Sequence, residues 1–199
     1  MSSKPRIGII LSTTREARFA DRPAQWVLDI AKARGDAEYE IVDLRDYPMP
    51  LFEAAMSPAY APIEHDVTKR WAAKISELDG YIFITAEYNH SISGALKNAL
   101  DHVYNETKHK PAAFVGYGGV GGARAVEQLR LILVEMQMAA TRAAVHIGME
   151  PMLGMLRNGK DFGDYDYLGA SVAPMLDELL WWTNVLKAGR NDVGLAEAA

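Results

Sequence analysis

Residues 80–101 read GYIFITAEYNHSISGALKNALD, and the fold is decided there. GYIFIT (80–85) is almost wholly apolar and β-prone, as a strand covered on both faces must be. Glu87, Tyr88, Asn89 and His90 then turn the chain, and SGALKNALDHVYNE (93–106) reads as a helix. Parallel strands need a crossover and a helix supplies it, so strand, polar turn and helix form half of a parallel βαβ unit.

The alternation extends both ways. Upstream, RIGIIL (6–11) is a second apolar strand, and Trp26, Val27, Ile30 and Ala31 stripe a helix from Pro23 to Arg34 that Gly35 stops. EIVDL (40–44) reads as a strand, and Val67, Trp71, Ile75 and Leu78 space a further helix. Downstream come the strand PAAFVGY (111–117), a helix from Ala125 to Ala139, a weaker strand TRAAVHIG (141–148) and a closing helix from Ser171 to Ala188. The class is α/β, a parallel sheet with helices on both faces. The proline-rich stretch 46–64 fits neither element, and a loop that long is usually functional or an interface arm. With no repeat or linker, residues 1–199 are expected to form a single domain, with a core at 6–188 and a flexible polar tail at 189–199.

Composition narrows the function. The 199 residues contain no cysteine, which excludes disulfides, Cys-based metal centres and thiolate nucleophiles. Lys plus Arg number 21 against 26 Asp plus Glu, and a net charge of −5 offers no footprint for nucleic acid or an anionic membrane. MSSKPR leads straight into the first strand without a signal core, so a cytoplasmic location is expected. The five histidines have no metal-ligand spacing. Lys97 and Asp101 are four apart on a helix, which is the spacing of a surface ion pair rather than of an acid–base couple.

In a sheet of this kind, ligands bind beyond the carboxyl ends of the strands. Three loops lie there. In STTREARFADRP (12–23), hydroxyls at Ser12, Thr13 and Thr14, cations at Arg15, Arg18 and Arg22 and a helix start make either an anion cradle or simply a capped, solvated helix entry. In the second loop, the turn at Glu87–His90 can present backbone groups to a planar heterocycle, or Asn89 and Gly94 can supply turn geometry alone. In the third, GYGGVGGARA (116–125) matches G-x-G-x-x-G, but too late in the chain for a dinucleotide fingerprint. A loop kept free of side chains so that backbone approaches a flat ligand is the better reading, with Tyr117 as an aromatic wall.

These loops resemble the NADPH-dependent FMN reductase family of flavodoxin-like proteins, which includes azoreductase-, chromate-reductase- and quinone-reductase-like members. The family patterns G-S-T-R-P-G-R, P-E-Y-N-x-S-x-P-G-x-L-K-N-A-[IL]-D and S-x-G-G-x-G-G-x-R-A correspond to STTREAR (12–18), AEYNHSISGALKNALD (86–101) and GYGGVGGARA (116–125). The resemblance spans about residues 6–145, and the EYN–KNALD segment is its most specific part. It implies a flavodoxin-like doubly wound fold with a five-stranded parallel sheet in the order 2-1-3-4-5.

It also implies FMN as cofactor and NADPH or NADH as electron donor. Ser12, Thr13, Arg15, Arg18, Phe19 and Ala20 would hold the phosphate, the last three through backbone. Glu87, Tyr88, Asn89 and His90 would line the isoalloxazine, mostly through backbone groups, and Tyr117, Gly118 and Gly119 would approach its pyrimidine side. No catalytic side chain is expected, since the flavin N5 carries the hydride. The partner is a small-molecule acceptor such as free flavin or a quinone. A homodimer or homotetramer is implied, with 46–64 and 95–106 as interface. Four departures bear on affinity: Glu16 puts a negative charge beside the phosphate, Ala86 and Ser93 replace prolines and so loosen the second loop, and Gly116 replaces a serine. Two other readings stand beside this one: a flavodoxin-like electron carrier without its own NAD(P)H turnover, and a domain for another phosphorylated ligand.

Overall fold

A computed structural model describes residues 4–61 and 64–192. Its sheet is built from β1 (Arg6–Leu11), β2 (Glu38–Asp43), β3 (Gly80–Ala86), β4 (Pro111–Tyr117) and β5 (Ala139–Ile147). All pair in parallel, in the order β2-β1-β3-β4-β5, as the resemblance implied. Every residue of β3 and β4 is buried, because helices cover both faces.

Alternate strand residues feed two cores. Ile7, Ile9, Ile82 and Ile84 face α1 (Asp21–Arg34), α5 (Met149–Arg157) and α6 (Asp166–Asp192). Ile10, Tyr81, Phe83 and Phe114 face α2 (Asp66–Glu77), α3 (Gly94–Asp101) and α4 (Ala123–Glu135).

Several bounds differ from the sequence expectation. The helix expected at 93–106 stops at Asp101; His102 leaves it, and its Nε2 lies 3.0 Å from the Pro50 carbonyl oxygen. The helix expected to reach Ala139 ends at Glu135, and β5 begins at Ala139. That strand carries a bulge against Ala112–Phe114, which blurred its alternation. The bulge is held from both sides: Arg142 and Ala143 N–H donate to the Glu178 carboxylate at 2.8 Å each, and Arg130 donates to the carbonyls of Thr141 and Arg142. These contacts satisfy backbone groups on what is the sheet's edge.

Helix α5 went unrecognised, since MEPMLGMLR contains both a proline and a glycine. Helix α6 starts five residues before Ser171, so Pro174 lies inside it rather than in its first turn. Pro174 and Ala170 are both exposed, so the carbonyl that Pro174 leaves without a helical donor faces water. At the other end, α6 runs on through Asp192, and Arg190 is buried. Residues 189–192 are thus helix rather than loose tail, while 193–199 lie outside the described residues. No described helix is long and apolar enough to cross a membrane.

Candidate functional site

The strand order changes direction between β1 and β3, and the three loops converge at that carboxyl edge. Their contact is direct. Ser12 donates through its hydroxyl to the Ile84 carbonyl at 2.6 Å, and Ser93 donates to the Ser12 carbonyl at 2.5 Å. Glu87 N–H donates to the Tyr117 carbonyl at 3.0 Å, the Phe19 and Tyr117 rings lie 5.4 Å apart, and the Arg15 guanidinium sits 6.0 Å from the Tyr88 ring centre. Residues expected from 12 to 119 to act together are therefore neighbours in space.

The first loop has the chemistry of an anion nest. Among the described residues, none of the backbone N–H groups of residues 13–20 finds a protein acceptor. They lead into the N-terminus of the 14-residue helix α1, whose cap residue Ala20 offers no side-chain oxygen. Thr13 is buried, and its hydroxyl lies beside the Tyr117 phenol without closing a hydrogen bond. Thr14 to Ala17 are exposed, but Thr13, Phe19 and Ala20 are buried, where donors are almost always paired, so their open N–H groups plus the orphan Thr13 hydroxyl at a helix start fit a bound phosphate. Arg15 is exposed, forms no ion pair among the described residues, and stays beside the Tyr88 ring of the second loop. Arg18 differs: its side chain is 2% exposed and bound to Asp21 and Asp43, so its guanidinium does not point into the nest.

The second loop is a tight turn. Tyr88 and Ser91 exchange backbone hydrogen bonds of 2.9 and 3.1 Å across Asn89 and His90, whose φ angles are +49° and +76°. Two positive φ values define a type I′ turn, which Asn tolerates and His adopts at some cost. Both tips are exposed, so the turn displays them. Ser93 does not loosen the loop as its replacement of a proline implied. Its oxygen caps α3 by accepting from Leu96 N–H at 3.1 Å while its proton goes to Ser12, so a cap tethers what a ring would have stiffened.

Glu87 points away from the loop mouth. Its carboxylate is 4% exposed and binds the Arg124 guanidinium, and it accepts from Arg124 N–H at 3.1 Å in the first turn of α4. Burial pushes this carboxyl up, but the Arg124 side chain and backbone donors outweigh burial and hold it below the usual carboxylate range. The consequence is testable. A carboxylate held low stabilises the native state above its unfolded pKa and loses that contribution as pH falls through the folded value. Glu87→Gln should cost roughly 1–3 kcal/mol near neutrality, and its deficit against wild type should shrink as pH drops below about 4.3. Urea midpoints measured from pH 7 downward check this; a deficit constant with pH would remove the charge from the account.

The third loop is backbone against backbone. A Cβ built on Gly116 would lie 2.8 Å from the Gly121 carbonyl oxygen, so the serine usual in the family does not fit this conformation. Tyr117 is buried, and burial pushes its phenol up to about 12, so it stays a neutral donor. Gly118 and Gly119 follow without side chains, and Gly119 is exposed.

Sequence reasoning missed three residues of this assembly, Asp43, Arg45 and Arg124, and named Ser93 without its capping role. Asp43 had a signal, since it ends a strand at the ligand-binding edge. Beside the first loop opens a cleft of about 440 Å³, lined by Thr14, Arg45, Tyr47, Met49, Leu51 and Asn98 among others. No cluster of metal-ligating side chains occurs among the described residues.

Comparison with known proteins gives a family. A family model described as NADPH-dependent FMN reductase matches residues 5–151. The NAD(P)H-dependent FMN reductase of Nectria sp is 36% identical over 146 residues, covering 69% of this chain and 73% of that protein. The NAD(P)H-dependent FMN reductase of Schizosaccharomyces pombe is 35% identical over 145 residues, covering 71% and 72%. Among solved structures, FerB, a flavoenzyme NAD(P)H:(acceptor) oxidoreductase from Paracoccus denitrificans, is alike in fold, with a TM-score of 0.65 at 24% identity over 88% of this chain and 97% of its own. With three loops meeting at one sheet edge and a family match over nearly the whole sheet, this chain belongs to the NADPH-dependent FMN reductase family and is an FMN-dependent NAD(P)H oxidoreductase.

Proposed function

We propose that the whole chain is one flavin-binding domain that passes electrons from NADPH or NADH to free flavin, quinones or other small oxidants. The observation that carries the site assignment is the row of N–H groups at 13–20 without protein acceptors. Ser12 orients this loop, Thr13 and Arg15 bind the FMN phosphate from hydroxyl and guanidinium, and the backbone of Arg18, Phe19 and Ala20 completes the nest. Tyr88, Asn89 and His90 line the ring system from their turn, and Glu87 holds that turn against α4 rather than touching the ligand. Tyr117, Gly118 and Gly119 supply a neutral phenol and bare backbone on the other side. When bound, FMN supplies the hydride chemistry. The protein's share is to bind, orient and leave room, and the 440 Å³ cleft beside Thr14 gives a small planar substrate that room.

We place the enzyme in the cytoplasm, where its nicotinamide donor circulates, as a homodimer or homotetramer. Support for assembly comes from the arm, where Leu51 and Tyr60 are each 81% exposed.

Anaerobic NADPH added to the FMN-loaded protein should bleach the flavin band near about 450 nm, and a quinone should restore it. Retained but unreduced flavin would make the chain an electron carrier, and no flavin binding would end the reading. At residue level, Arg15→Ala should weaken FMN binding by roughly 1–3 kcal/mol in fluorescence titration, the worth of a charge-assisted bond. Unchanged affinity would reject the phosphate contact.

A further inference from the structure

Arg18 stands in the phosphate loop by sequence, yet its guanidinium spends all its N–H groups on protein. Nε donates to the two Asp21 carboxylate oxygens at 3.1 and 3.0 Å. Nη1 donates to the Thr13 carbonyl and to Asp43 Oδ1, both at 2.7 Å. Nη2 donates to Asp21 Oδ1 at 2.6 Å and to Asp43 Oδ2 at 2.5 Å. Asp43 ends β2 and also accepts from Arg45 N–H at 2.9 Å. The Arg45 guanidinium reaches back to the carbonyls of Arg15 and Glu16, the latter at 3.0 Å.

Three carbonyls of the loop, at Thr13, Arg15 and Glu16, are thus held by two guanidinium groups, and one carboxylate on β2 ties both residues, Arg18 through its side chain and Arg45 through its backbone N–H. In a planar trans peptide the carbonyl of one residue and the N–H of the next point in opposite directions. Drawing those three carbonyls onto cations therefore turns the N–H groups of Thr14, Glu16 and Ala17 the other way. Burial pushes the Asp43 carboxyl up, but Arg18 and Arg45 N–H outweigh it and keep it ionised.

We propose that the Arg18 side chain has a positioning role: braced by Asp43 and joined by Arg45, it orients the N–H groups that bind the FMN phosphate, and its guanidinium does not itself touch the phosphate. This rests on residues 13–20 being the phosphate loop. The proposal and the direct-contact alternative predict opposite signs for one variant. If Arg18 bound the phosphate, Asp43→Asn would release its guanidinium and remove a nearby negative charge, so FMN would bind as well or better. If Arg18 positions the loop, the same change slackens the brace and FMN binds worse.

The experiment measures dissociation constants for FMN and for riboflavin, which lacks only the phosphate, on the full chain. Wild type is compared with Asp43→Asn, Arg45→Gln and Arg18→Lys, the last keeping the charge while losing the fork. In each variant, FMN affinity should fall by about tenfold or more, with riboflavin affinity moving less than roughly twofold, so that the preference for FMN collapses. Unchanged or tighter FMN binding in Asp43→Asn overturns the proposal in favour of direct contact. Equal loss of both ligands overturns it in favour of general destabilisation. A wild type with no preference for FMN over riboflavin overturns the phosphate-loop reading itself, and the brace with it.

Discussion

Gly122→Ala should cost on the order of 3 kcal/mol or more and strip the protein of FMN. A Cβ at 122 would meet Tyr117 N at 2.4 Å, Gly116 C at 2.7 Å and Gly116 Cα at 2.8 Å. All three are backbone atoms of β4, which is buried along its whole length, so none can swing aside as a flexible side chain would. Gly122 also holds φ at +68° and caps the helix whose first turn grips Glu87, so displacing it disturbs the second loop as well as the third. Gly35→Ala is the control. Its φ of +67° imposes the same conformational penalty, but nothing lies within 4 Å of the added methyl. Urea denaturation of the two variants separates strain from collision. If Gly122→Ala is no worse than Gly35→Ala, the close approach of the loop to β4 is not rigid.

Asp79→Ala should destabilise the protein by roughly 3–5 kcal/mol, the usual result of leaving buried charges without their partner. The Asp79 carboxylate accepts from Lys187 at 2.7 Å, from Arg190 at 3.0 Å and from Arg6 N–H at 3.0 Å. Arg190 also donates to the His109 carbonyl at 2.6 Å and is buried. This cluster sits at the opposite edge of the sheet from the three loops and pins the end of α6 across the starts of β1 and β4. The melting temperature should drop by about 2–4 °C per kcal/mol. FMN affinity measured well below the melting point should stay within about twofold, because additivity holds between distant sites. A truncation before Lys187 should reproduce most of the loss; a melting point unmoved by either change would show that the helix end carries no stability.

Much of this protein was legible as pattern. Continuous apolar runs such as GYIFIT can only be strands covered on both faces, and glycine and proline marked most boundaries. The segment from Glu87 to Asp101 carried enough specific residues to point to the family. Boundaries were read less well wherever tertiary contacts overrode local preference. The bulge at Thr141–Ala143 is stable because Glu178 and Arg130 reach it from two helices, and neither is near it in sequence. The end of α6 looked like a polar tail because GRND has no apolar stripe, yet Arg190 is fixed by a carboxylate 111 positions away.

The site divides along the same line. Residue types and their order by themselves determined an α/β sheet, a cysteine-free chain that leaves the redox chemistry to a cofactor, and three unusual loops at the carboxyl ends of its strands. Only the folded chain decided which way each charge points. Arg15 and Arg18 look interchangeable in STTREAR, but Arg15 is exposed and Arg18 is spent on Asp21 and Asp43. The Glu87 carboxylate, whose direction the sequence left open, goes to Arg124 in the first turn of α4. The physical reason is that hydrophobic burial is a property of spacing along the chain, whereas a guanidinium or carboxylate goes to whichever partner the packed elements bring within hydrogen-bond reach.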